Sequence, residues 1–322
     1  MKTSEKIIAY LKLKKQVSIN ELVDYLEISR MGVSKQLSNL IAENKLVKIG
    51  RPPKVFYMIK EEKMPAGEIV LDKKTKNIID KNYLIITPSG ERKEGIAGFA
   101  YWCRENSLPL DKTAEEYKKT LEKYQAFRKS GLISGMHKFQ TTFEKVGLDH
   151  IFYLDFYSIE RFRKTKLGQL LLYAKQSQNK KLMRELADDI RLAVNGIIKK
   201  YHIDAIGFIP PTVKREVQFM KELEKNLHPS VKIITITKIK TDIIVPQKTL
   251  NKLKDRIENA KKTIVVNEPG KYKNILLIDD AVGSGATLNE TSTQIKQKGI
   301  AEKVIGLSIT GSFKGFDVIS EV

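Results

Sequence analysis

Three observations predict an α/β chain in two parts. Residues 1–60 carry three short helical patterns and then two β-like runs about a Gly-Arg-Pro-Pro-Lys turn. From about residue 150, helical and strand patterns alternate to the last strand, as a parallel doubly wound sheet requires. Within that second part, ILLIDDAVGSGATLNE (275–290) runs four aliphatic residues into Asp279 and Asp280, then a glycine-serine loop and a helical pattern. The expected domains are 1–60, a mainly helical linker or dimerisation region at 61–148, and 149–322.

Composition sets the outer limits. The chain has 322 residues, 41% hydrophobic and 30% charged, so it reads as soluble and globular. No apolar run reaches membrane-spanning length, and the basic N-terminus is broken by Lys12, Lys14 and Lys15, which suits an amphipathic helix better than a secretion signal. Cys103 is the single cysteine, which excludes a disulfide and a cysteine-based zinc site within the chain and makes the cytoplasm the expected compartment. The net charge of +20 favours polyanionic partners: nucleic acid, phosphorylated ligands or anionic membrane.

In the first part, Ile7, Ile8 and Leu11 mark one apolar face. Ser18 with Glu21 forms a capping box before a stripe of Leu22, Tyr25 and Leu26. A third helix restarts at Ser29, with Val33, Leu37, Leu40 and Ile41 facing inward. Two helices separated by two or three residues are a helix-turn-helix. Its outward residues, Arg30, Ser34, Lys35, Ser38 and Asn39, suit base edges and phosphates in a major groove. The following hairpin, with Arg51 and Lys54 at its tip, resembles the wing of winged-helix regulators. Twelve Lys/Arg against five Asp/Glu in residues 1–60 support double-stranded DNA as partner. No exposed aromatics are expected on the outward face for stacking RNA bases.

Residues 61–148 carry no catalytic constellation. A strand and turn, a short buried helix holding Trp102 and Cys103, and a helix opened by a second capping box at Thr113 and Glu116 are expected. Leu121, Tyr124 and Phe127 supply its apolar face. His137, His150, His202 and His228 share no metal-ligand spacing and read as structural.

The last part explains the acid pair. Ligands of doubly wound sheets bind beyond the carboxyl ends of strands, where Asp279 and Asp280 are expected. Backbone N–H groups after Val282 can converge on an anion, helped by the start of the next helix and by the hydroxyls of Ser284 and Thr287. Phosphate held by the loop and diol hydroxyls held by the acids describe a sugar phosphate.

The aliphatic run, the acid pair and Ser284-Gly285-Ala286-Thr287 together resemble the PRPP-binding motif of type I phosphoribosyltransferases. Gly283 departs from it, since many members carry Thr or Ser there. Other stretches of residues 150–322 are similar to the ComF-like members. They are FYSIERFRKTKLGQLLLYAKQS with Lys175, IGFIPPTVKREVQF with Lys214 and Arg215, and VPQKTLNKLKDRIENA with Gln247, Leu250, Arg256 and Asn259. Such members often begin with a four-cysteine zinc module, which this chain cannot build.

The resemblance implies PRPP bound with Mg²⁺, the metal held through PRPP and by no protein ligand directly. Gly283, Ser284, Gly285, Ala286 and Thr287 would hold the 5-phosphate, and Asp279 and Asp280 the ribose hydroxyls. Lys214 and Arg215 would take the pyrophosphate, and Arg256 would close over the site. Two functions follow as expectations. One is a dimeric DNA-binding regulator that senses PRPP or a related nucleotide, as purine repressors of this design do. The other is an active ComF-like phosphoribosyltransferase with an accessory DNA-binding domain. No acceptor-base segment is evident for the second.

Overall fold

The computed structural model describes residues 2–14, 16–51, 54–60, 71–211, 213, 215–239, 245, 249–250 and 252–312. The chain divides into two compact units, residues 1–70 with 88–90 and residues 71–87 with 91–322.

The first unit runs α1 (Thr3–Lys14), β1 (Gln16–Ser18), α2 (Ile19–Leu26), α3 (Arg30–Ala42), β2 (Leu46–Arg51) and β3 (Lys54–Ile59). Its three strands form an antiparallel sheet in the order β1-β3-β2. Ile7, Leu11, Leu22, Val33, Leu37, Leu40 and Leu46 make one buried cluster. The capping box forms as written: the Ser18 hydroxyl accepts from Glu21 N, and the Glu21 carboxylate accepts from Ser18 N. Ser29 caps α3 by accepting from Gly32 N. Two side chains depart from the expected apolar stripes. Ile41 is 37% exposed because α3 turns it past the cluster's edge, and Tyr25 is 47% exposed, stacked on Tyr10 at 3.9 Å instead of buried.

The second unit opens with α4 (Lys73–Asn82), β4 (Leu84–Ile86), β5 (Arg92–Glu94), α5 (Gly95–Glu105), α6 (Leu110–Gln125), β6 (Arg128–Lys129), β7 (Leu132–Ser134) and α7 (Met136–Thr142). It continues with β8 (His150–Phe156), α8 (Lys166–Gln176), α9 (Lys180–Lys200), β9 (Ala205–Phe208), α10 (Phe219–Leu227), β10 (Lys232–Ile234) and β11 (Ile236–Lys238). It closes with α11 (Leu253–Thr263), β12 (Ile264–Val266), β13 (Tyr272–Val282), α12 (Ala286–Gln297) and β14 (Ala301–Gly311).

A seven-stranded, mostly parallel sheet, β10-β9-β13-β14-β8-β7-β6, organises the unit; only β7 runs against the other strands, so its pairings with β8 and β6 are the antiparallel ones. Both faces are covered, which is why its strands read as unbroken apolar runs. Ile275 and Leu277 enter one core with α12, while Leu276 and Ile278 enter the other with α8, α9 and α10. From Leu71 on, the stretch read as a separate linker or dimerisation region shares this unit and its first core, through Ile79, Phe99, Trp102, Tyr117 and Phe139.

Four expectations for this unit need correction. VKIITITKI is not one strand. Lys232–Ile234 pairs with β9, and beyond Thr235 the chain leaves the sheet to pair with β12 in an antiparallel ribbon. The capping box at Thr113 and Glu116 does not form, because α6 starts earlier, behind Pro109. Thr113 lies inside the helix and donates to the Pro109 carbonyl at 2.5 Å. The strand carrying the acids does not end at Ile278. It runs to Val282, since β14 extends to Gly311 and keeps pairing with it. Phe127, expected on an apolar face, is 46% exposed.

Burial raises the Cys103 thiol to about 11, which makes it a poor nucleophile. Among the described residues, no helix is long and apolar enough to cross a membrane.

Asn289, 2% exposed, ties α12 to the segment after α7. Its Oδ1 accepts from Gly147 N at 2.9 Å, and its Nδ2 donates to the Lys145 carbonyl at 3.0 Å. Asn289→Leu orphans both backbone groups and is expected to lower unfolding stability by about 1–3 kcal/mol, read by denaturant titration. An unchanged midpoint would mean that this clamp does not hold the helix.

Candidate functional site

The position of the site follows from how the chain leaves two neighbouring strands. β9 and β13 lie side by side and run parallel. From β9 the chain crosses through α10 outward to β10; from β13 it crosses through α12 the other way, to β14. α10 packs into one core and α12 into the other, so the two connections diverge to opposite faces. Such a reversal opens a crevice at the carboxyl ends of the strands, the usual ligand position in open α/β sheets.

The acids stand on its edge. β9 pairs with β13 only as far as Ile278, and β13 continues alone on that side through Asp279 to Val282. Both carboxylates are half-buried. Asp279 Oδ1 accepts from Asp280 N at 2.8 Å, and Asp280 Oδ2 pairs with Lys175 Nζ at 2.7 Å, in an ion pair whose side chains are 17% and 14% exposed, respectively. Burial, followed by the neighbouring Asp280 charge, pushes the Asp279 carboxyl up to about 8, against the pull of Lys175 and Lys238. Lys238, at the end of β11, is lowered to about 8 by burial, with Asp279 opposing the shift.

The loop after β13 is built for close backbone approach. Gly285 is the N-cap of α12 at φ 81°, and a Cβ there would stand 2.4 Å from the buried Phe139 ring. Glycine is therefore required on both conformational and steric grounds. Ser284 is 7% exposed, and its hydroxyl accepts from Ala286 N at 3.3 Å. Thr287 is half-buried on the first turn of α12, and Lys138 donates from α7 to the Gly283 carbonyl at 2.5 Å.

A cavity of about 800 Å³ lies beside the acid pair rather than on it. Its walls include Pro210, Pro211 and Arg215 after β9, Lys221 of α10, and Thr237 and Lys238 of β11. We take the crevice and this cavity together as the site, because Lys238 lines the cavity and interacts electrostatically with Asp279. Arg215 also connects the two, donating to the carbonyl of Lys175.

Of the residues expected from sequence, Asp279, Asp280, Gly283, Ser284, Gly285, Ala286, Thr287 and Arg215 gather here. Lys214 and Gln247 lie outside the described residues. Arg256 is 5% exposed, with Nε donating to the Leu250 carbonyl at 2.6 Å, so closing over a ligand would require it to move. Lys238 and Lys138 were missed: each sits in a stretch whose pattern reads only as structure. The four histidines join no group of three or more metal-ligating side chains among the described residues.

In the first unit, Arg30, Ser34, Lys35, Ser38 and Asn39 are all exposed along α3, and Arg30 Nη1 donates to Asn20 Oδ1 at 3.3 Å. Arg51 and Lys54 are the facing ends of β2 and β3; Pro52 and Pro53 lie outside the described residues.

No protein-family model matches the chain. No curated protein matches it either. Among solved structures, it is similar to a hypoxanthine phosphoribosyltransferase from Staphylococcus aureus at 12% identity, over 42% of this chain and 80% of that one, with a TM-score of 0.24. A likeness at that score carries no argument about function.

The raised Asp279 carboxyl gives a pH prediction. Between the ordinary value of 3.8 and about 8, the folded protein holds a proton that the unfolded chain releases. The stability from this group is therefore complete at low pH and is lost as pH rises through about 8. The melting temperature of Asp279→Asn minus that of wild type should grow from pH 5 to pH 9. A flat or shrinking difference would mean that Asp279 is ionised throughout.

Proposed function

We propose that the protein is a DNA-binding transcriptional regulator. Its first unit is a winged helix-turn-helix on double-stranded DNA; its second, a type I phosphoribosyltransferase-like domain, binds PRPP or a related nucleotide as effector. The observation that carries the effector reading is the half-buried acid pair at the β9–β13 reversal, beside a loop whose Gly285 backbone opens α12. A phosphate suits the backbone N–H groups of that loop and the hydroxyls of Ser284 and Thr287. Ribose hydroxyls suit Asp279 and Asp280: a carboxyl that retains its proton can donate as well as accept. A pyrophosphate suits the cavity beside them, where Arg215, Lys221 and Lys238 supply positive charge.

The donor set fits Mg²⁺ arriving with the ligand better than Mg²⁺ held by the protein. Asp280 is already paired with Lys175, and burial and the Asp280 charge raise the Asp279 carboxyl, whereas the pyrophosphate of PRPP offers several hard oxygens. When bound, the ion would neutralise part of the pyrophosphate charge.

The DNA reading draws on the exposed polar and basic row of α3 and on the positive charge of residues 1–60. A homodimer reading two half-sites is the expected assembly. One observation favours a second reading, an active Mg-dependent phosphoribosyltransferase of ComF-like kind. The Asp280 carboxylate, held in place by Lys175, can stabilise a positively charged, oxocarbenium-like ribose. Pyrophosphate release from PRPP with candidate bases would distinguish it from the regulator.

Separable losses test the regulator. Arg30→Ala with Lys35→Ala should weaken binding to DNA more than tenfold and leave PRPP affinity unchanged. Asp279→Asn with Asp280→Asn should abolish PRPP binding and spare DNA binding, both read by fluorescence anisotropy and calorimetry. DNA affinity unchanged by the first pair would remove α3 from the interface.

A further inference from the structure

The outward face of α3 holds one side chain that neither folding nor phosphate contact explains. Met31 is 83% exposed, in the first turn of the helix that the first unit would present to DNA. The buried residues of α3 are Val33, Leu37 and Leu40, so the cluster beneath the helix is complete without Met31. At helical spacing, Met31 heads a row with Ser34, Lys35 and Ser38 (i, i+3, i+4, i+7), all exposed. Arg30, on its N-terminal side, is drawn back to Asn20 of α2 by a hydrogen bond of 3.3 Å. Thus the first turn of α3 leads with a flexible apolar side chain, and the cations flank it.

A methionine fits one chemical feature of the major groove. Base edges there present hydrogen-bond donors and acceptors, which a thioether serves poorly, and the 5-methyl group of thymine, which an apolar side chain covers well. In helix-turn-helix docking, the N-terminal residues of the second helix are those that reach base edges. Resting on the DNA reading above, we propose that Met31 is a specificity-determining residue that reads a thymine methyl in the major groove. The preferred site then contains a fixed A·T pair opposite the start of α3, oriented with its thymine towards Met31. Lys35, Ser34 and Ser38 follow along the groove. The same contact separates DNA from RNA duplexes, since uracil lacks the methyl.

The test begins with selection of bound sequences from a random duplex pool by the full chain. Each thymine of the selected site is then replaced in turn by deoxyuridine, and affinity is measured for wild type and Met31→Ala. Covering one methyl corresponds to roughly a fourfold change in affinity. Wild type should lose about fourfold at one thymine per half-site. Met31→Ala should be insensitive to deoxyuridine at that position and respond like wild type at the others. Thermal melting should show the variant folded, because the side chain is exposed. A site whose deoxyuridine profile is the same for both proteins would overturn the Met31 assignment while leaving DNA binding intact. Failure to enrich or bind any duplex would overturn the DNA reading beneath it.

Discussion

The divergence of the connections that leave the parallel neighbours β9 and β13 is the constraint on which the second unit depends. With β9 ending at Phe208 and β13 continuing to Val282, one side of β13 loses its neighbour where two acids occur. The connections must leave towards opposite faces, because each crossover packs its helix onto the sheet with the same hand. This separation of α10 from α12 provides room for a ligand, and the aliphatic run Ile275–Ile278 makes it rigid by filling both cores. Residues 136–147 reinforce the arrangement from below. Phe139 fills the space under Gly285, and the Gly147 amide is held by Asn289.

Electrostatics then give this crevice its character. Two adjacent carboxyl groups in a half-buried position repel each other, and burial adds to the cost of ionising both. The protein resolves this by pairing Asp280 with Lys175 and letting Asp279 hold its proton more tightly. Lys238 faces the same problem from the cavity side, where burial weakens its hold on a proton. The consequence is a crevice in which burial disfavours the charged forms of both Asp279 and Lys238. A polyanion bearing hydroxyls would relieve the strain on Lys238 and engage Asp279 together.

Much of this was legible in the sequence because local chemistry dictates it. The Ser18–Glu21 capping box, the Ser29 cap and the acid-glycine run each specify a backbone state within a few residues. What escaped depended on distant partners. The end of β13 is set by the length of β14, and VKIITITKI divides at Thr235 because β12 competes with β9 for its second half. Lys238 and Lys138 enter the site only through folding, from β11 and from a helix whose own pattern shows no chemistry. The contribution of residues 71–148 was hidden for the same reason. Their aromatic side chains look like a self-contained core until Phe139 is seen beneath the loop and Tyr117 against Phe162.

The most direct measurement is calorimetric titration of PRPP with Mg²⁺ into the full chain, alone and with bound duplex DNA. Coupling between two sites is reciprocal, so an effector that acts on DNA binding must itself bind differently when DNA is present. The account predicts saturable PRPP binding whose affinity changes severalfold on addition of the duplex. An absence of PRPP binding in both titrations would contradict it, because the acid pair and the Gly285 loop would then not be a sugar-phosphate site.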